Sequence, residues 1–146
     1  MIHFREMTPA DADDVAAVEK ASFDVPWTRE MFWREVQNEL TYYLLALDDE
    51  NVVGYAGTWI LSDEAQIMNF AILPSYRGKK IGRMMMARLI DDVKKRGAEK
   101  MTLEVRPSNK AAISLYTSFG FKDCGRRPHY YCDNGEDAII MWNMKL

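Results

Sequence analysis

Apolar and polar residues alternate along IHFREM (residues 2–7), the period of a half-buried strand. Thr8 then stands as an N-cap before PADADDVAAVEKASF, with Pro9 in the first turn and acids after it, where the helix dipole favours them. FDVPW (23–27) breaks that helix, and Thr28 caps a second, TREMFWREVQNEL. YYLLALDDENVVGYAGTWIL (42–61) predicts two strands joined by the polar turn DDEN. AQIMNFAIL (65–73) predicts a third that stops at Pro74, so the three form an antiparallel meander. From Ile81 the period lengthens. Ile81, Met85, Leu89 and Val93 make one stripe, widened by Met86 and Ile90, as in an amphipathic helix lying on a sheet. Its end is a cationic turn before Gly97. MTLEVR (101–106) is a short strand, and Asn109–Phe119 a helix with Ala112, Leu115, Tyr116 and Phe119 on one face. FKDCGRRPHYYCD (121–133) and EDAIIMWNMKL (136–146) are β-rich, joined at Asn134–Gly135, a hairpin signal.

The order β-α-α-β-β-β-α-β-α-β-β predicts an α/β sheet of mixed direction. A chain of 146 residues, 48% hydrophobic and 28% charged, fits one domain (1–146) with a real core. No apolar run approaches the roughly 20 residues of a membrane span, and MIHFREMTPAD lacks a signal-peptide pattern. The expectation is a cytoplasmic protein with no membrane partner. Cys124 and Cys132 are too few for a disulfide framework, and His3 and His129 have no neighbouring ligands, so no metal is expected.

The net charge of −3 is uneven. Residues 76–100 carry nine Lys or Arg against three acids, leaving the rest at −9. A local basic patch on an acidic protein suits a small polyanion better than a nucleic-acid track. After Arg83 the same charges also describe a solvated helix face, with pairs such as Asp91–Lys95 and Asp92–Arg96.

ILPSYRGKKIG (72–82) places a basic, Gly-containing turn between a strand and a helix N-terminus. The first helical N–H groups lack partners and carry the positive end of the dipole, so this is an anion cradle. It is neither a GxxxxGK[ST] loop nor GxGxxG. It resembles instead the acyl-CoA pyrophosphate loop of the GNAT acetyltransferase superfamily, Q/R-x-x-G-x-G/A. Arg77 matches the first position and Gly82 the last, while Lys80 stands where the family usually has glycine. VPWT, LEVRPSNKAAISLYTSFGF, RRPHYY and GEDAIIM extend the likeness over nearly the whole chain, towards the RimI-type ribosomal-protein alanine N-acetyltransferases.

The resemblance implies a mixed, mostly antiparallel sheet of about seven strands with helices on both faces, the fourth and fifth strands splayed to admit acyl-CoA. It implies acetyl-CoA as co-substrate. Phe70, Ala71 and Ile72 would line the pantetheine arm as an added strand, and Arg77, Gly78, Lys79, Lys80, Ile81, Gly82 and Arg83 would hold the pyrophosphate. Asn109, equally readable as an N-cap, would bond the pantetheine side. Glu104 matches the family's general base and Tyr116 its general acid. By residue pattern alone, Glu104 also fits a solvated strand face and Tyr116 a core tyrosine with a satisfied hydroxyl. Trp27, Tyr130 and Tyr131 would wall a peptide groove, although aromatics at such places also serve packing.

The expected function is acetyl transfer from acetyl-CoA to the N-terminal alanine of a ribosomal protein, by a monomer or weak dimer without direct nucleic-acid contact. The alternatives are a GNAT enzyme for small amines or lysine side chains, and a non-catalytic acyl-CoA-binding module. A groove open at both ends favours the peptide; a closed acidic pocket favours a small amine.

Overall fold

The computed structural model describes residues 1–146. Seven strands, β1 (Ile2–Glu6), β2 (Thr41–Asp48), β3 (Asn51–Leu61), β4 (Glu64–Ile72), β5 (Lys100–Val105), β6 (Lys122–Arg127) and β7 (Ala138–Asn143), form one sheet in the order β1-β2-β3-β4-β5-β7-β6. Four α-helices accompany it: α1 (Ala12–Ser22), α2 (Arg29–Glu35), α3 (Ile81–Lys95) and α4 (Lys110–Ser118). Only β4 and β5 run parallel; every other neighbouring pair is antiparallel. The expected element order and the meander both hold.

Both faces of the sheet are covered, which is why β2 reads as an unbroken apolar run rather than an alternation. Tyr42, Leu44 and Ala46 point into a core shared with Ile81, Met85, Met86, Leu89 and Val93 of α3 and Tyr116 of α4. Tyr43, Leu45 and Leu47 point the other way, towards Val15 and Val18 of α1 and Phe32 of α2. Met85 and Met86 are therefore core filler, while Met84 on the same helix is exposed.

The parallel pair shapes the site. It holds only from Glu64–Gln66 opposite Lys100–Thr102, and beyond that point β4 and β5 part. The cause sits in the next residues of β4. Its register against β3 jumps from Ile67↔Thr58 to Asn69↔Gly57, leaving Met68 as a bulge. A bulge bends its strand and sharpens its twist, so β4 swings from β5 two residues after the last shared pair. Gly57 is required opposite the bulge, since a Cβ there would lie 2.5 Å from the Tyr43 ring.

Three local expectations are corrected. The second helix stops at Glu35 instead of continuing through Leu40. Gln37 and Asn38 donate to carbonyls three residues back, and the Asn38 side chain accepts from the Leu40 N–H, which turns the chain out of the helix. Strand β6 ends at Arg127, because Pro128 has no N–H to give. Asn134–Gly135 is accordingly not a two-residue hairpin turn between strands; it closes a local turn inside the 128–137 loop, with the Gly135 N–H donating to the Tyr131 carbonyl at 2.8 Å. On α3, Asp92 pairs with Arg88 rather than Arg96, which reaches Glu6, and Asp91 does not pair with Lys95. The Tyr42 hydroxyl also donates to Asp92, holding it towards the sheet. No helix is long and apolar enough to cross a membrane.

Candidate active site

The parting of β4 and β5 opens a cleft of about 380 Å³ that reaches both faces of the sheet. Phe23, Val25 and Trp27, between α1 and α2, wall one side, and Asn109 and Tyr116 of α4 the other. Phe70, Leu103 and Glu104 form the strand edges between them, and Tyr130 and Tyr131 close it from the 128–137 loop. Seven of the residues singled out by sequence, Trp27, Phe70, Glu104, Asn109, Tyr116, Tyr130 and Tyr131, thus meet in one cavity.

Glu104 is partly buried on β5, and both its oxygens are engaged. The Tyr130 hydroxyl donates to Oε2 at 3.1 Å, and Arg127 Nε lies 3.3 Å from Oε1. Burial raises the Tyr130 phenol first, and the neighbouring Glu104 charge adds to the shift, so Tyr130 stays a donor. Tyr116 is 6% exposed, edge-on to Phe70 at 6.0 Å between ring centres and tilted against Phe121. Burial holds its phenol above the ordinary value, and its hydroxyl makes no hydrogen bond within the chain. It is a core tyrosine with an uncommitted polar end, on the wall of the cleft.

The loop that brings Tyr130 and Tyr131 in is latched at its far end. Arg106, just beyond β5, binds Asp133 at 2.8 Å and Glu136 at 3.4 Å, and stacks on the Tyr131 ring at 4.0 Å. Glu136 also accepts from the Ser108 N–H and hydroxyl, which lower its carboxyl to about 2. The loop is therefore tied to the turn between β5 and α4.

The cofactor-side residues lie along a continuous path. Ala71 and Ile72 carry β4 past the bulge, with no β5 partner on their open side. A 3-10 turn at Pro74–Tyr76 follows, and the chain then passes through two left-handed residues, Gly78 (φ 77°) and Lys80 (φ 65°), into α3. Lys80 is the N-cap, and the first helical bond is from the Met84 N–H to its carbonyl, so the amides before Met84 have no partner in the helix. Arg77 Nε donates to the Ile72 carbonyl at 3.1 Å, which closes the turn. Lys79 lies over the Tyr76 ring and Arg83 over Phe119, both exposed. Gly82 faces Phe70 and Leu115 across ordinary contact distances, which joins this turn to the cleft. Arg77 to Arg83 do not line the cavity itself; they form the basic turn that follows β4 and leads into α3. Asn109 is the N-cap of α4, its side chain accepting from the Ala112 N–H at 3.2 Å, and it lines the cleft as well.

Sequence reasoning missed Glu19, Asn69, Arg106 and Arg127. Only Glu19 left a visible signal: it follows Val15 by four residues and Val18 by one, a charge on the buried stripe of α1. Arg127 is aimed by the bulge in β6 between Asp123 and Arg126, which no local pattern announces.

The chain and its fold match known proteins. Residues 12–121 match the model of the Acetyltransferase (GNAT) family. The [ribosomal protein bS18]-alanine N-acetyltransferase of Escherichia coli K12 is 37% identical over 126 residues, 85% of this chain and 84% of that protein. A Bacillus subtilis relative, given the same name provisionally, is 43% identical over 139 residues, 94% of this chain and 92% of its own. The crystal structure of the Escherichia coli ribosomal-protein-S18-alanine N-acetyltransferase superposes with a TM-score of 0.90 at 34% identity, covering 97% of this chain and 92% of that one. This chain belongs to the GNAT acetyltransferase family and is an acetyl-CoA-dependent N-acetyltransferase.

Proposed function

We propose that the protein acetylates the N-terminal α-amine of a ribosomal protein that begins with alanine, with Glu104 as base and Tyr116 as acid. One observation carries the reading: Glu104 and Tyr116 line the same cleft where β4 and β5 part, one from a strand edge and one from the α4 wall. The names of the relatives support the acceptor, since they specify the alanine of ribosomal protein bS18. The cleft reaches both faces of the sheet, which suits a chain end entering from the α1–α2 side and a thioester from the α4 side.

The roles follow from the chemistry of the step. Phe70 to Ile72 offer an unpaired strand edge for the pantetheine arm, and the free amides at the start of α3, with Arg77, Lys79, Lys80 and Arg83, hold the pyrophosphate. Asn109 bonds the arm beside Tyr116, while Trp27, Tyr130 and Tyr131 flank the peptide. Glu104 takes one proton from the α-ammonium and passes it to water; the neutral nitrogen then attacks the thioester carbon and gives a second proton to Glu104 as the amide forms. As the carbon–sulfur bond breaks, the Tyr116 hydroxyl donates to the departing sulfur, and water restores its proton. An α-amine with a pKa of about 7.7–8.0 asks little of a carboxylate base. Arg127 and Tyr130 hold Glu104 in place until the amine arrives. The enzyme works in the cytoplasm as a single domain, a monomer or weak dimer, without metal, membrane or nucleic-acid contact.

Mass spectrometry of synthetic N-terminal peptides incubated with the protein and acetyl-CoA tests this. An alanine-first ribosomal peptide should gain one acetyl group on its α-amine, and internal lysines none. Modification confined to lysines, or none at all, removes the proposal.

A further inference from the structure

We infer that Glu19 is the docking site for the charged N-terminal amine of the acceptor, holding it in the cleft before Glu104 takes its proton; this rests on the reading of the cleft as an N-terminal acetyltransferase site. Glu19 is 3% exposed and lines the cavity, yet no lysine, arginine or histidine pairs with it. One oxygen accepts from the Tyr55 hydroxyl and the other from the Trp27 N–H at 3.0 Å. The Tyr55 hydroxyl in turn accepts from Asn69 Nδ2 at 3.1 Å, so α1, β3 and β4 together fix the carboxylate. Neutral donors offset only part of the cost of burying an anion, and each oxygen keeps a free lone pair.

A counter-ion is what this carboxylate lacks, and the substrate brings one. At neutral pH an α-amine with a pKa of about 7.7–8.0 arrives mostly as the ammonium. The other carboxylates at the cleft are less suited to receive it. Asp24 is exposed to water, Asp133 is bound to Arg106, and Glu104 is bound to Arg127 and Tyr130. The titratable groups facing Glu19 from the sheet are Tyr43 and Tyr55, both raised by burial and so protonated. Across the cavity stand Glu104, Arg106, Tyr116, Tyr130, Tyr131 and Cys132, with Asp24 and Asp133 at its rim. The hold on the Trp27 N–H ties charge recognition to the aromatic wall beside which the first residue must lie.

Glu19→Gln keeps the size of the side chain and a carbonyl for the Trp27 N–H, and removes the charge. At pH 7 the KM for an alanine-first peptide should rise roughly tenfold or more, with the KM for acetyl-CoA within about twofold of the parent. The peptide penalty should shrink towards pH 9, where the acceptor is neutral. A purely structural role gives a penalty that does not change with pH, and that result, or an unchanged KM, overturns the inference. If Glu19→Gln does not fold, binding of the peptide and of its des-amino analogue is compared in Glu104→Gln protein. The parent peptide should bind at least about tenfold tighter; equal binding overturns the inference. An inert parent enzyme removes the proposed function and this inference together, whereas an active enzyme indifferent to Glu19→Gln removes this inference alone.

Discussion

Tyr116 is buried between Phe70 and Phe121, and that burial holds its phenol protonated across the working pH range. A thiol ionises at about 8.5, so in the proposed reaction passing the whole proton to a thiolate is uphill, and a hydrogen bond to the developing charge would carry most of the effect. Tyr116→Phe should therefore lower kcat by about 10² to 10⁴ while acetyl-CoA binding stays nearly constant, as steady-state rates and calorimetry would measure. An unchanged rate would remove Tyr116 from the chemistry. Lys80 has the opposite character: its backbone, not its side chain, is under constraint. With φ 65° and ψ 14° it occupies the left-handed region, which explains why the resembling loops use glycine there. The conformation costs a non-glycine residue about 1–2 kcal/mol, part of which glycine gives back through its freer unfolded chain. Lys80→Gly should thus stabilise the protein by up to about 1 kcal/mol in urea denaturation. Destabilisation would show that the lysine makes compensating contacts.

At the scale of elements, the entry to α1 is governed by one carboxylate. Asp11 accepts from the Thr8 N–H and hydroxyl and from both terminal nitrogens of Arg5, tying β1 to the first turn of the helix. The Arg5 guanidinium is the main cause that lowers Asp11 to about 2, below its unfolded value near 3.9. A depressed carboxyl contributes stability that is complete above the unfolded value and disappears as the pH falls through the folded one. Thermal melts between pH 5 and pH 2 should show that loss, and Asp11→Asn should flatten it; an unaltered acid limb would place the titration elsewhere. The helix itself was legible from Thr8, Pro9 and the following acids. The ends of α2 and β6 were not, because an Asn side chain and a proline cut short patterns that the apolar residues continued.

For the whole molecule, the decisive feature is a sheet left open in its middle. The β4 edge beyond Met68, beside the cleft, and the amides of residues 81–83, in the turn outside it, are unpaired polar groups, so a ligand that satisfies both should bind only the folded chain. Acetyl-CoA at a hundred times its Kd should stabilise the protein by about 2.7 kcal/mol, seen as a clear rise in Tm. No rise would remove the co-substrate from this fold. The same ligand should slow amide exchange at residues 70–72 and 81–83 and leave β1 and β2 unchanged.

Element order, the stripe of α3 and the basic turn at its mouth were legible from the chain alone, because each is written in residues close together along it. The resemblance to the family's motifs pointed to Glu104 and Tyr116, and both line the cleft. Tertiary structure decided what those side chains meet. Arg127 reaches Glu104 from a strand 23 residues on, redirected by a bulge, and Glu19 meets Tyr55 from 36 residues away, while Asn69 donates to that same Tyr55 hydroxyl. Such contacts depend on strand order and register, which arise only when the whole sheet closes, and no local periodicity encodes them.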